Sequence, residues 1–394
     1  MSLLVLNCGS SSIKFALFES DSLRSRLRGQ IEAIGTAKAK IQVEGEARLD
    51  EAERLADPGQ ALARLAQLLE TWRITPGAVG HRVVHGGERF HETVVVDDTV
   101  LAAIEATVEL APLHNPVNLE GIRLARKLWP GIPQIAAFDT AFHQTLSPEA
   151  FHYAVPRHWY ETYGVRRYGF HGLSHAYVSR RAAEQLGKPL GAFNAISLHL
   201  GNGASACAIE NGQSVDTSMG LTPLEGLVMG TRPGDLDPGV LLHLSRKGLS
   251  ADALDDALNH ACGLQGLCGH TDMREVQQAA ARGDADACLA LAVFCRRVKK
   301  YIGAYLALLG RVDAVIFTAG IGERSAEVRA RCLAGLEGLG LVLDPARNAR
   351  TDGRTLTPIH HPDSATPILV VPTDEAWQIA HDMHSLLHHH RGAS

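Results

Sequence analysis

The chain lacks any long apolar run. No part of its 394 residues forms an uninterrupted hydrophobic stretch of about 18, the length a membrane-spanning helix needs. Its opening, "MSLLVLNCGS", passes straight into polar residues without the pattern of a secretory signal. Charge of one sign is also missing: 38 Lys and Arg against 43 Asp and Glu leave a net charge of −5, which advertises neither a nucleic-acid nor a membrane partner. Cysteine is sparse, seven residues at scattered positions, so the expectation is reduced thiols in a cytoplasmic protein. Cys262, Cys268 and His270 do not have zinc-ligand spacing. The terminal "HHHRGAS" reads as a frayed polar tail rather than a metal site.

Several chemical motifs are absent too. No Gly-x-x-x-x-Gly-Lys-[Ser/Thr] occurs, which excludes a P-loop, and "GNGASA" and "GIGERS" both lack the third glycine of a dinucleotide fingerprint. "GLSHA" ends in Ala176 where a hydrolase elbow requires glycine.

What is present is an ordinary globular composition, 45 % hydrophobic and 21 % charged, long enough for two cores. Strands are expected over 3–7, 12–18, 26–33 and 39–44. In "PGQALARLAQLLETW", Leu62, Leu65, Leu68 and Leu69 share one helical face, and "NPVNLEGIRLARKLWPG" repeats Leu119, Ile122, Ala125 and Leu128 at the same spacing. "AVGHRVVHGG" and "PQIAAFDTAF" read as strands. The long helix "DACLALAVFCRRVKKYIGAYLALLG" carries Leu291, Phe294, Val298, Ile302 and Tyr305 as its buried stripe, and "SAEVRARCLAGLEGLG" reads as a helix after the strand "DAVIFTAG". "LVLNCGSSSIKFALFE" and "ISLHLGNGASACAIEN" have one plan: apolar strand, glycine-and-hydroxyl turn, second strand, acidic exit. A doubled core with crossover helices implies an α/β protein of two similar domains, divided near Asp139–Gln144, with a ligand in the cleft between them.

Three turns follow apolar strands: Gly9 with Ser10–Ser12, Gly201-Asn202-Gly203, and Gly320-Ile321-Gly322. Backbone N–H groups in such turns form anion-binding nests, and a helix starting near Ser325 would add its own positive end. A single such turn is more often a plain bend. Three at equivalent places in a doubled fold point to phosphate. Arg82 sits in an apolar strand, where a charge needs a partner. Glu88 lies in the same stretch, His171 is flanked by Gly169 and Gly172, and Arg232 lies in the glycine-rich "GTRPGDLDP". His85, His114 and His175 have no such setting and read as ordinary histidines.

At this point the stretches "LNCGSSSIKF", "GHRVVHGGE", "LAPLHNP", "FDTAFH", "RRYGFHGLSH", "HLGNGAS", "DTSMGLTPLEGLVMGTRPGDLDP", "GHTDMREV", "FTAGIGE" and "PTDEAWQIA" are available in order along the chain. Together they resemble the acetate kinase (acetokinase) family of the actin/Hsp70/sugar-kinase superfamily. The resemblance implies duplicated actin-like (ribonuclease H-like) α/β domains with an interdomain active-site cleft, the first formed by 1–140 with 377–394 and the second by 141–376. It implies reversible phosphoryl transfer from ATP to acetate, giving ADP and acetyl phosphate, with Mg²⁺ (Mn²⁺ as the alternative) and a homodimeric assembly.

Carried across motif by motif, Asn7 and Glu375 resemble the metal-site residues, and Ser10, Ser12 and Lys14 lie in the first phosphate loop. His199, Gly201, Asn202 and Gly203 resemble the second phosphate loop. Asp272, Met273 and Arg274, with Gly320, Ile321, Gly322, Glu323 and Arg324, resemble the adenosine pocket. Arg82, His171 and Arg232 would hold the transferring phosphoryl group beside Asp139, and Val84, Leu113, Phe170 and Pro223 would wall the methyl group of acetate.

A carboxylate nucleophile is already ionised, with a pKa of about 4, so it needs no general base and Asp139 is expected to orient a cation. Three departures stand out: Arg324 where the family has Asn, Asp374-Glu375-Ala376 where it has Asn-Glu-Glu, and Cys268 where serine is usual. Asp374 is thereby a rival to Glu375 for the metal. Val84 and Phe170 leave little room, favouring acetate over propionate or butyrate. A nucleotide-driven scaffold would need no Arg82–His171–Arg232 cluster, and a sugar kinase would use Asp139 as a base.

Overall fold

The structure, a computed structural model, describes residues 1–391, so the terminal "HHHRGAS" lies partly outside the described residues. Two compact units are present, Met1–Gln144 with the segment from Asp374 onward, and Thr145–Thr373. No helix among the described residues is long and apolar enough to cross a membrane.

The first unit is built on β1 (Ser2–Cys8), β2 (Ile13–Glu19), β3 (Ser25–Glu32), β4 (Ala39–Gly45), β5 (Leu49–Glu53), β6 (Ala78–Val83), β7 (Val94–Val95) and β8 (Gln134–Phe138). Their order in the sheet is β5-β4-β3-β2-β1-β6-β8-β7, with β1, β6 and β8 parallel and β1–β5 an antiparallel meander. Alternation on β1 decides the layers. Leu4, Leu6 and Cys8 join the cluster containing Leu62, Leu65 and Leu69 of the helix Pro58–Thr71. The opposite face receives the last helix, Glu375–Arg391. A Cβ on Gly80 would lie 2.3 Å from Met383 Sδ and 2.9 Å from Ile379 Cγ2, so the glycine lets these side chains of the helix pack directly on β6. The sequence reading missed β5: "LDEAE" is a charged, largely exposed edge strand with no apolar alternation to reveal it.

The second unit repeats the plan with β9 (Ala195–Leu200), β10 (Ala204–Glu210), β11 (Gln213–Thr217), β12 (Ala314–Thr318), β13 (Thr357–Pro358) and β14 (Ile368–Val370). Its order, β11-β10-β9-β12-β14-β13, matches β3-β2-β1-β6-β8 strand for strand at the centre. In both units the first strand runs parallel to the fourth in this correspondence and antiparallel to the hairpin partner that follows it. The fold is therefore mixed α/β, of the duplicated actin-like kind. The helix Ala285–Leu309 buries Leu291, Phe294, Val298, Ile302 and Tyr305, as its periodicity requires.

Two expectations are corrected. Gly320-Ile321-Gly322 is not a turn but lies in a short helix, Ala319–Arg324, because the change of direction falls earlier, at Ala319 with φ 62°. Arg329, fully buried, closes that helix by donating from Nη1 to Gly322 O (2.8 Å) and Glu323 O (2.9 Å). The following helix is Ala326–Leu333, capped by Ser325, and stops short of the expected end at the left-handed Gly335.

Phe294 is completely buried on the long helix. Phe294→Ala is expected to destabilise the second unit by about 3–5 kcal/mol through lost burial and a residual cavity. Urea unfolding followed by intrinsic fluorescence checks this, and a change below about 1 kcal/mol would contradict the packing described.

Candidate functional site

In the first unit the site grows from one face of the sheet. Asn7, near the end of β1, stands opposite Lys14 on β2, and Arg82 lies one strand over, near the end of β6. Arg82 Nη1 donates to Asn7 Oδ1 at 3.5 Å. Asp139, just past β8, receives Arg82 Nε at 2.9 Å and Nη2 at 2.5 Å, a two-pronged charge-assisted pair. Glu375, the first residue of the last helix, places Oε2 3.4 Å from Arg82 Nε. Burial by itself would lower the Arg82 pKa, but the Asp139 and Glu375 carboxylates outweigh it and the net shift is upward. Asp139 is pushed up to about 6 by burial, with Glu375 adding to the rise and Arg82 opposing it. Asn7 oxygen and the Glu375 carboxylate are hard donors, the kind Mg²⁺ takes in ones and twos while water and phosphate fill its other positions.

Asp374 is corrected as a rival metal ligand. Its Oδ1 accepts the Trp377 N–H at 2.9 Å and Arg28 Nη1 at 3.1 Å, and Oδ2 lies 2.5 Å from Arg28 Nη2. It caps the last helix and is neutralised there. Of the two neighbours, Glu375 is the one that approaches Arg82, at 3.4 Å.

The turn after β1 is closed by Gly9 N–H donating to Ser12 O at 2.8 Å, leaving Ser10 exposed, Ser12 partly so, and Lys14 exposed. Residues that sequence reasoning missed hold this end of the sheet. Asn118 accepts the Val84 N–H at 3.1 Å through Oδ1 and donates from Nδ2 to Cys8 O at 2.9 Å, tying the turn after β1 to the end of the Arg82 strand. Asn115 brackets His85 through both its N–H and its C=O, and Thr140 Oγ1 accepts the Gly86 N–H at 3.0 Å. The available signal was a polar residue on the apolar stripe of a helix: Asn118 is buried beside Leu119 and Ile122. Burial lowers the His85 pKa to about 4, which keeps the ring neutral at physiological pH. Val84 is 9 % exposed and Leu113 57 %, so Leu113 is open to solvent here rather than walled in.

In the second unit, His199 near the end of β9 pairs with Ser205 on β10, the positions that Asn7 and Lys14 hold in the first. His171 has φ 58°, a left-handed conformation that costs an ordinary residue about 1–3 kcal/mol, and it opens the helix Gly172–Gln185. Its Nδ1 lies 2.9 Å from Ser205 Oγ, which also meets His175 Nε2 at 2.8 Å, while His175 Nδ1 meets Ser197 Oγ at 2.9 Å. His199 stacks on His171 at 4.1 Å and is anchored through Nδ1 to Ser174 Oγ at 2.8 Å. His175 thus belongs to the support of His171, not to a bland core.

Arg232 arrives over Gly203. A Cβ there would lie 2.8 Å from Arg232 Nη2 and 3.4 Å from the His171 ring, so the glycine leaves room for both side chains to approach. Arg232 Nη1 donates to Pro223 O at 2.8 Å, and burial lowers its pKa. No carboxylate pairs with it among the described residues. Its loop is braced by Arg167, which joins Glu225 at 2.8 Å and Met219 O at 3.0 Å, and by Arg297, which donates to Gly226 O at 2.7 Å. Asn202 is exposed, its N–H turn mate Gly201 bonding to Gly203 O at 3.1 Å, and Phe170 is buried beside His171.

The residues expected around adenosine divide. Asp272 caps the helix Met273–Ala281 through the Arg274 N–H at 2.8 Å, and its bond with the Arg274 side chain holds its pKa down at about 2. The Met273 side chain is buried in the core, so its expected place in a ligand pocket is corrected. Glu323 is buried and spends Oε1 on the Thr373 N–H at 2.9 Å, a bracing role rather than a free ligand. Arg324 is exposed.

Duplicated actin-like units with glycine- and hydroxyl-containing turns at their strand ends are the architecture of a class of phosphotransferases. More particularly, the chain matches the family model described as the acetokinase family over residues 2–381 and belongs to that family. It is 50 % identical over 393 residues to an acetate kinase of Syntrophobacter fumaroxidans, covering 96 % of this chain and 95 % of the relative. A solved propionate kinase from Francisella tularensis superposes with TM-score 0.91 at 41 % identity, covering 97 % of this chain and 98 % of that one. A solved acetate kinase from Porphyromonas gingivalis superposes with TM-score 0.91 at 40 % identity, covering 98 % and 99 %.

The raised pKa of Asp139 fixes the sign of a pH effect. Protonation of its carboxylate as the pH falls through about 6 would loosen the hold on Arg82, so turnover is expected to fall on the acid side. Asp139→Asn should lower kcat by about tenfold or more and remove the acidic limb near pH 6. A wild-type profile flat through that range, or a variant with wild-type rate and metal dependence, would refute this role.

Proposed function

We propose that this chain is an acetate kinase, catalysing reversible transfer of the γ-phosphoryl group of ATP to acetate to give acetyl phosphate and ADP. The observation that carries the reading, beyond family membership, is the Arg232 guanidinium: partly buried, aimed with His171 at the space over Gly203, and matched by no carboxylate among the described residues. Such a group calls for an anion. We assign Arg232, His171 and Arg82 to the transferring phosphoryl group.

Acetate attacks phosphorus directly with a carboxylate oxygen. That bond forms as the bond from phosphorus to the oxygen bridging to the β-phosphate breaks, and ADP takes the electron pair. No proton has to leave the nucleophile, because acetate is ionised at neutral pH. This agrees with an Asp139 committed on both oxygens to Arg82 instead of standing free as a base. The difficulty is the approach of one anion to another, and loose phosphoryl transfer is helped chiefly by position and positive charge. Lys14 and the Ser10 and Ser12 hydroxyls, with His199, Gly201, Asn202 and Gly203, serve the nucleotide phosphates. The segments at 272–274 and 320–324 serve adenosine by backbone and rim side chains. Val84, Leu113, Phe170 and Pro223 bound the methyl group.

Asn7 and Glu375 would hold Mg²⁺, directly or through water. When bound with the nucleotide, the ion neutralises phosphate charge and orients the γ-phosphoryl group. We further propose that the enzyme is cytoplasmic and homodimeric.

The likeness to a propionate kinase of the same TM-score keeps the longer carboxylate as a second substrate reading. One methylene is worth only about 1–3 kcal/mol in an apolar pocket. The test is acyl phosphate trapped with hydroxylamine from Mg-ATP and acetate, propionate, butyrate or glucose. Acetate is expected to give the highest kcat/KM. Turnover of ATP with glucose, or without any carboxylate, would overturn the reading. Arg232→Ala and Arg82→Ala should each cost about 3 kcal/mol or more of transition-state stabilisation, read as a loss of about 100-fold or more in kcat/KM.

A further inference from the structure

One cavity of the second unit is lined by none of the residues assigned above to nucleotide, metal or acetate. It has a volume of about 370 Å³, the size of a small-molecule site, and is lined by Arg347, Arg350, Thr351, Asp352, Thr355 and Thr357. The wall comes from the helix Pro345–Arg350 and the segment leading into β13. No lining side chain is purely apolar, so the space suits a polar ligand. Arg347 and Arg350, three apart, are neighbours on the last turn of the helix. Arg347 Nε lies 3.4 Å from Asp344 Oδ2 and its Nη1 donates to His360 O at 3.4 Å. Arg350 is exposed and pairs with no carboxylate among the described residues. Asp352 is the one acid in the lining, and its Oδ1 accepts the Arg354 N–H at 2.9 Å. Thr351 gives a second, independent sign. Its Oγ1 is shut off from solvent and meets no hydrogen-bond partner among the described residues, a state that native structures keep only with a reason.

The chemistry of the lining indicates the ligand. Two guanidinium forks and three threonine hydroxyls offer more donors than a flat carboxylate can use, and they suit a tetrahedral phosphate. The room beside the Asp352 carboxylate suits hydroxyls that donate to it. We propose that this cavity binds the phosphate group of a small hydroxyl-bearing phosphomonoester, and that its occupation tightens nucleotide binding in the same unit. The second half of the proposal rests on the assignment of residues 320–324 to the nucleotide.

The bonds that carry the effect are direct. Asn348 lies between the two arginines on their helix and is buried. It accepts Arg329 Nε at 2.7 Å through Oδ1 and Arg329 Nη2 at 3.0 Å through its C=O. Arg329 is the buried residue whose Nη1 closes the helix Ala319–Arg324 on Gly322 and Glu323. Just past Asp352, Gly353 has φ 70°, and a Cβ there would lie 2.7 Å from Glu323 O, so this loop and that helix meet backbone to backbone. An anion that draws Arg347, Arg350 and Thr351 together therefore steadies the segment to which Gly320 through Arg324 belong. By linkage, the nucleotide favours the anion by the same factor.

The experiment is calorimetric titration of glycerol 3-phosphate, and separately of inorganic phosphate, into the nucleotide-free full-length enzyme, repeated with saturating MgADP. Glycerol 3-phosphate should bind once per chain and more tightly than inorganic phosphate, and MgADP should raise its affinity about threefold. Arg350→Glu, at an exposed position, and the isosteric Thr351→Val should each weaken glycerol 3-phosphate by about tenfold or more. Both variants should keep the wild-type kcat and KM for ATP when no phosphomonoester is present. Tighter binding of inorganic phosphate would overturn the ester as the ligand. No heat from either compound, or binding untouched by both substitutions, would overturn the site. Release of glycerol 3-phosphate by MgADP would place it at the phosphoryl-transfer centre instead and overturn the site as well. Binding that the substitutions abolish but MgADP leaves unchanged would overturn the coupling alone. The first titration needs no turnover, so its failure leaves the acetate kinase reading standing, and failure of that reading leaves the cavity tested.

Discussion

The feature on which the rest of this structure depends is an imbalance of buried charge. Two guanidinium groups stand at sheet ends or loops where water is partly excluded, and they are treated oppositely. Arg82 is matched by Asp139 and approached by Glu375, so its charge is held and aimed. Arg232 is anchored on the Pro223 carbonyl, and no carboxylate among the described residues pairs with its charge. A protein tolerates an unmatched cation of this kind when a ligand supplies the counter-charge. For a reaction that brings a carboxylate up to a phosphate chain, stored positive charge is the principal thing the fold has to provide.

The duplicated architecture explains how that charge is delivered. In each unit a β-hairpin ends in a small-residue turn, and the residue before the last position of its first strand points to the helix-covered face: Asn7 in one, His199 in the other. Divergence of the two copies shows in what those positions became. The first copy carries an amide oxygen bonded to Arg82, whereas the second carries stacked imidazoles hung on buried serines. The supporting shell is polar and exacting: Asn118, Asn115, Ser205 and His175 sit where an apolar residue would pack as well but could not hold a strand end or a ring in place.

Much of this was legible in the residues. Strand–turn–strand alternation exposed the doubling, and helix periodicity gave Leu291 through Tyr305 as a buried stripe because both signals are local. The "DTSMG" and "GTRPGD" stretches marked Arg232. What escaped notice was set by long-range contacts. The strand β5 carries no apolar alternation and exists by pairing with β4. Gly320–Gly322 looked like a bend, yet the buried Arg329 closes it into a helix from outside. Asp374 reads in the sequence as a rival to Glu375 for the metal, but Arg28, far away in sequence, holds it. Met273 read as a pocket residue but turns into the core.

The most direct measurement of the central claim is calorimetric binding of MgADP, with and without aluminium fluoride and acetate, to wild type and Arg232→Ala. If the unmatched guanidinium is the seat of the transferring phosphoryl group, the variant should bind MgADP within about threefold of wild type yet lose the trapped fluoride complex by about 100-fold. Retention of the trapped complex by Arg232→Ala, or an equal loss of MgADP itself, would contradict it.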